Sequence, residues 1–150
     1  MSIQFKLVTP ERTVLEETVD SLTLPAKDGE ITVLPEHIPL VSLLTSGVIT
    51  LRTASGERHL ASSGGFVEVL PDSRVTVFAD TAERAEELTL EVVESAKLRA
   101  EAALKEKTAG TQEEYASAVG SLERELARLK AIRRHRNRNH SASPLQDTQS

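Results

Sequence analysis

A chain of 150 residues with 39% hydrophobic side chains can bury a core in one or two compact units without help from disulfides or metals. It has no cysteine, which excludes thiolate zinc sites, thiol catalysis and a disulfide scaffold and fits a reducing compartment. The net charge of −5 is uneven: residues 1–80 and 81–132 are acidic, and only 133–150, with 4 Arg and 1 Asp, are basic, so the main body lacks the positive surface that nucleic acid requires.

The opening MSIQFKLVTPERT lacks the basic segment and apolar stretch of an export signal, so the chain is expected to stay inside the cell. No run of about 18 apolar residues follows that could span a bilayer. Ile3, Phe5 and Leu7 alternate with polar neighbours up to Pro10, predicting a first strand. Short strand-like runs recur at 19–24, 31–34, 48–52, 58–61, 66–70 and 75–78. They are separated by turn signals such as Lys27-Asp28-Gly29, Ser55-Gly56, Gly64-Gly65 and Pro71-Asp72. No helical stretch divides them, so the spacing predicts an antiparallel sandwich or barrel rather than a parallel sheet. Aromatics make up only 3% of the chain, and Phe5, Phe66 and Phe78 are expected to be its few large core plugs.

Beyond residue 80 the period changes from two to three and four. Asp80 and Glu83 are spaced as a capping box for a helix over 82–106, with Ala85, Leu88, Val92, Ala96 and Ala103 on one face. Gly110 is a helix stop, and Thr111 with Glu114 is a second capping box. Tyr115, Val119, Leu122, Leu126 and Leu129 then form an apolar seam along a second helix, which predicts an antiparallel hairpin. The fold class is therefore α+β. A β-sandwich occupies 1–80, a two-helix antiparallel hairpin 81–136, and a Ser-, Gln- and Asn-rich tail 137–150 is expected to be disordered.

Two blocks carry a resemblance. GEITVLPEHIPL begins at Gly29, and SGGFVEV begins at Ser63. The chain resembles the epsilon subunits of F-type ATP synthases, whose first block typically reads Gly-Glu-x-Gly-x-Leu-Pro-Gly-His-x-Pro-Leu. The resemblance covers residues 3–134. Thr32 and Glu36 depart from it, standing where the family usually has Gly. If Glu36 needs a positive φ, it carries about 1 kcal/mol of strain relative to Gly.

The resemblance implies a non-catalytic rotor subunit on the cytoplasmic face of a bacterial inner membrane, held there only through its complex. Its implied partners are the gamma subunit, the proton-driven ring of c subunits and, in an inhibited state, the catalytic alpha and beta subunits. It also implies a regulatory hairpin that permits turnover when folded against the sandwich and blocks ATP hydrolysis when extended. Glu30 and His37 match positions the family uses near the c-ring. Read without the family, they are an ordinary surface charge and a loop residue between Pro35 and Pro39. Arg124 and Arg128 match a basic second helix that meets an acidic segment of the beta subunit, or they form a solvated face near a helix C-terminus. A stand-alone adaptor that uses the seam for coiled-coil partners is the alternative.

No enzyme, cofactor or metal site is expected. His37, His59, His135 and His140 offer no helical ligand pair in the ordered part, and Ser62-Ser63-Gly64-Gly65 lacks the strand-to-helix context of a nucleophile. Some family members bind ATP through Ile/Leu-Asp-x-x-Arg-Ala on the first helix. Here Thr89 replaces the carboxylate and Val92 the cation, leaving Arg99 alone. Those lost charge-assisted hydrogen bonds are worth about 1.5–3 kcal/mol each. Isothermal titration of the isolated protein with ATP is therefore expected to show no sub-millimolar binding.

Overall fold

The computed structural model describes residues 1–107 and 110–141. Ten strands form two five-stranded sheets. The first contains β1 (Ile3–Val8), β2 (Thr13–Val19), β5 (Leu40–Leu43), β8 (Phe66–Leu70) and β9 (Arg74–Phe78), in the order β2-β1-β9-β8-β5. The second contains β3 (Ser21–Ala26), β4 (Gly29–Val33), β6 (Gly47–Thr53), β7 (Gly56–Ser63) and β10 (Thr81–Arg84), in the order β10-β7-β6-β3-β4. Alternation does its expected work: Ile3, Phe5 and Leu7 from one sheet and Leu22, Leu24, Ile49 and Leu51 from the other enter a common core.

Three details depart from the sequence expectation. The front half is not wholly antiparallel, because β1 runs parallel to β9 at its centre. Everything between residues 8 and 74 serves as the connection, so no helical crossover is needed. Phe66 and Phe78 are not core plugs either. They stack with ring centroids 4.8 Å apart on the outer face of the first sheet, at 38% and 37% exposure, while only Phe5 is buried.

Asp80, finally, does not cap a helix. Residues 81–84 continue the second sheet, pairing Thr81 with Ser63 and Arg84 with Leu60, and the Asp80 N–H donates to the Ser63 carbonyl at 3.0 Å. The open edge of β7 gives those residues more hydrogen bonds than a frayed helix end would, which overrides their helical propensity. A 3₁₀ turn, Ala85–Glu87, then leads into α1 (Leu90–Lys107). At the second predicted start, the Glu114 N–H does donate to Thr111 Oγ1 at 3.2 Å, and α2 (Gln112–Ser141) follows. Helix α2 thus continues past 136 into the expected tail, of which 142–150 lie outside the described residues.

The two helices pack on each other, and α2 also lies across the outer faces of β6 and β7. A late start for α1 shifts its buried face to Val93 and Ala100, leaving Val92 exposed. Because α2 must satisfy both α1 and the sheet, it buries Ala118, Ala127, Leu129, Ala131 and Ile132, and the predicted seam members Tyr115 and Leu126 stay exposed. Ala131 is fully buried against Val48 and Ala61 of the sheet and Ala85 of the 3₁₀ turn. Small side chains on both surfaces let the helix come close.

The β7–β8 turn is fixed by glycine. Gly64 and Gly65 have φ of 60° and 98°, and a Cβ on Gly65 would lie 1.8 Å from the Phe78 carbonyl oxygen. Gly65→Ala is expected to lower unfolding stability in urea by about 2–4 kcal/mol, combining backbone strain with an overpacked contact.

Candidate functional site

Three surfaces carry chemistry or shape that the core does not use. The first is the loop after β4. Residues 34–39 leave the sheet through Pro35, and Glu36 turns the chain with φ of 66°. Its N–H donates to Ser73 Oγ at 2.8 Å, and the His37 N–H donates to the Leu34 carbonyl at 3.1 Å. His37 Nδ1 lies 2.7 Å from the Ile38 carbonyl oxygen, so Nδ1–H donates there and Nε2 points away from that bond. Leu34 and Ile38 stand exposed on either side.

Glu30, in contrast, does not share this loop's recess. It sits on β4 with its carboxylate 3.8 Å from the Arg134 guanidinium of α2, while His37 lines a separate recess with Met1, Pro71 and Asp72. The two residues expected to act together are thus held by different elements.

The second surface is the outer face of the first sheet. Leu43, Phe66 and Phe78 occupy one register row across β5, β8 and β9, with Val8 of β1 next in line. Val41 lies two residues along β5 on the same exposed side. Sequence alternation could not reveal this row, because β8 is apolar on both faces: Val67 and Val69 point inward while Phe66 and Leu70 point out.

The third surface lies where the hairpin meets the sandwich. Arg128 of α2 hydrogen-bonds Glu125 of its own helix at 2.5 Å and forms a second, short hydrogen bond with Glu83 of β10. Burial disfavours the Arg128 charge, but the hydrogen bonds and charges of Glu83 and Glu125 outweigh it and hold the proton more firmly than usual. Glu125 is only 4% exposed. Arg124 stays half-exposed, 4.0 Å from Glu125. The predicted pair therefore differs: Arg128 bridges to the sandwich, and Arg124 is half-exposed with its Nε buried on the Glu125 side. Sequence spacing carried no hint of Glu83 as the partner, 45 residues away.

Thr89 and Val92, which replace the charged ATP-binding residues, line a recess beside this bridge with Glu83, Glu87, Glu125 and Arg128. Three carboxylates against one guanidinium oppose a polyphosphate there. Among the described residues no group of acidic, His or Cys side chains has the geometry to hold a metal ion, and no helix is long and apolar enough to cross a membrane.

Residues 2–85 match the family described as the ATP synthase, Delta/Epsilon chain, beta-sandwich domain. That segment ends one residue past β10. Over 131 residues the chain is 44% identical to an ATP synthase epsilon chain of Moorella thermoacetica, covering 87% of this chain and 96% of that one. It is 41% identical over 138 residues to the corresponding chain of Herpetosiphon aurantiacus, covering 92% and 99%. Both relatives span the hairpin as well as the sandwich. In fold the chain is similar to a chain in the OSCP/F1/c-ring structure of Euglena gracilis mitochondrial ATP synthase, with a TM-score of 0.69 at 24% identity, covering 81% of this chain and 76% of that one. A chain in the central stalk/c-ring structure of the Tetrahymena thermophila enzyme has a TM-score of 0.59 at 14% identity, covering 88% and 97%.

The positive φ at Glu36 generates a test of the loop. Glu36→Gly removes the Cβ penalty while keeping the N–H that Ser73 accepts. It is expected to raise thermal unfolding stability by about 0.5–1 kcal/mol, with no change in fold by circular dichroism.

Proposed function

Because the chain belongs to the ATP synthase epsilon chain family, we propose that it works as a non-catalytic rotor subunit, transmitting rotation between a membrane-embedded c-ring and the catalytic head. The observation that carries this reading is the unequal treatment of the two sheets. Strands β6 and β7 of the second sheet are covered by the chain's own helix, while the first sheet presents Leu43, Phe66 and Phe78 in an exposed apolar row. Such a row on a small protein is suited to a permanent partner, and we assign it to the gamma subunit. The loop carrying His37, with Leu34 and Ile38 exposed around it, is assigned to the polar loops of the c-ring, and Glu30 to the same interface from its place on β4. In a bacterial cell this places the protein on the cytoplasmic face of the inner membrane, attached only through the assembly.

The hairpin is read as the regulatory element, and its contact with the sandwich as the permissive state. In that state Arg128 is occupied by Glu83 and Glu125, so it cannot also serve an acidic segment of the beta subunit. Leaving the sandwich frees it from Glu83, while Glu125, on the same helix, travels with it. Arg128 therefore exchanges Glu83 for the beta segment, while half-exposed Arg124 pairs within its own helix in the docked state. The bridge strengthens the permissive state, and its loss favours the extended one.

The test is ATP hydrolysis by the reconstituted complex. A chain ending at Glu87 keeps β10, which a cut at 81 would remove, and is expected to support coupled proton pumping with hydrolysis no longer inhibited. Glu83→Gln removes one charge from the bridge, weakens docking by about 1–2 kcal/mol and shifts the docked-to-extended ratio roughly 5–30-fold toward extension. Hydrolysis should fall in that variant. Identical hydrolysis by the intact, truncated and Glu83→Gln complexes would show that the hairpin does not regulate. Loss of pumping by the truncated complex would show that the sandwich alone does not couple.

A further inference from the structure

His59 stands on the outer face of β7, two residues from Ala61 and beneath the C-terminal half of α2. It is 6% exposed, with Nδ1 3.1 Å from Thr50 Oγ1 across the β6–β7 ladder. On the helix side, Arg134, His135 and Arg138 follow Ala131 at steps of three, four and seven, the spacing of one helical face. Arg134 and Arg138 share one recess with the imidazole, and His135 shares another. Arg138 also donates to the Ser55 carbonyl at the β6–β7 turn, at 3.3 Å.

The carboxylates around the imidazole already face cations. Glu57, on the same strand, pairs with Arg52 at 2.7 Å and lies 3.9 Å from Nε2, beyond hydrogen-bond reach. Glu30 faces Arg134 at 3.8 Å, and Glu17 is bridged to Arg58. Arg84 and Glu86, on the far side, bring one charge of each sign. A proton on His59 would thus add a charge between a sheet whose acids are engaged and a helix face that is already positive.

We propose that protonation of His59 loosens the C-terminal half of α2 from the second sheet, so that the docked hairpin is released as pH falls. This rests on reading the hairpin as a movable element. Burial lowers the imidazole's proton affinity, Glu57 partly restores it, and Arg134, Arg138 and His135 lower it further. Docked His59 therefore titrates below its value in the released state, where the ring is wetted and the cations of α2 are gone. The neutral imidazole supports docking fully above that value. As pH falls from there toward the docked value, the docked-to-released ratio drops by up to about tenfold per pH unit, and below the docked value it levels off.

The chain lacks cysteine, so Thr18→Cys and Lys130→Cys allow a donor and an acceptor dye to be placed on the sandwich and on α2 of the full-length protein. Energy transfer is expected to fall between pH 7.5 and pH 5.0, to stay at the docked level throughout in a His59→Gln background, and to fall as before in His135→Gln. A His59→Gln curve that follows the original, or no pH response with His59 present, overturns the proton release. Neither result touches the rotor assignment, which the truncated complex tests separately. Should His59→Gln fail to dock at pH 7.5, the His59 imidazole resonances of the unsubstituted chain, assigned through the backbone, decide: a midpoint below that of a free imidazole supports the proposal, and one at or above it overturns it.

Discussion

Close approach of one helix to one sheet organises the molecule. Ala131 sits with no exposed surface against Val48 and Ala61, and Ala85 closes the same cluster from the 3₁₀ turn. A larger side chain at any of these places would lift the helix and separate Arg128 from Glu83 and Arg138 from Ser55. The Arg128–Glu83 ion pair and the Arg138–Ser55 hydrogen bond thus depend on the alanines. It is the apolar contact that brings their partners within reach. The side chains at this contact are small, in contrast to the Leu, Ile and Val core between the sheets.

That arrangement divides the surface into an inward-facing and an outward-facing half. The second sheet spends its outer face on the chain's own α2 and keeps polar and titratable groups there: Thr50, His59, Arg52 and Glu57. The first sheet carries on its outer face an exposed apolar row, Leu43, Phe66 and Phe78, beside polar Gln4, Lys6, Glu16 and Thr76. The two outer faces therefore differ in what covers them: the helix lies on one, away from the apolar row of the other.

Much of this was legible in the chain alone, and the failures have physical causes. Alternation found the strands whose two faces differ in polarity, such as β1 and β9. It missed β5, where Leu40, Val41 and Leu43 are apolar on both sides, and β2, where Val14 and Leu15 are adjacent. It assigned 81–84 to a helix because Glu83 and its neighbours favour one, and the free edge of β7 is invisible to any local reading. The family blocks located Glu30 and His37, but not that α2 reaches the first and Ser73 supports the turn before the second. Glu36 was the exception. A single non-glycine at a glycine position signalled the positive φ that the backbone adopts. Partners distant in sequence, Glu83 with Arg128 and His59 with the basic turn of α2, were the least legible, since only the packing brings them together.

The parallel pairing of β1 with β9 has a bearing on how the protein is made. Ile3–Val8 leaves the ribosome well before Arg74–Phe78, one of its two neighbours in the sheet. At a synthesis rate of about 5–20 residues per second, the first strand waits roughly 4–14 s for that neighbour to be polymerised. Until then β1 can pair only with β2, and the resulting ribbon has an unsatisfied edge and an uncovered apolar side. Maturation of the front half is thus governed by its last large strand, and the helices, synthesised later still, find a finished platform on which to settle.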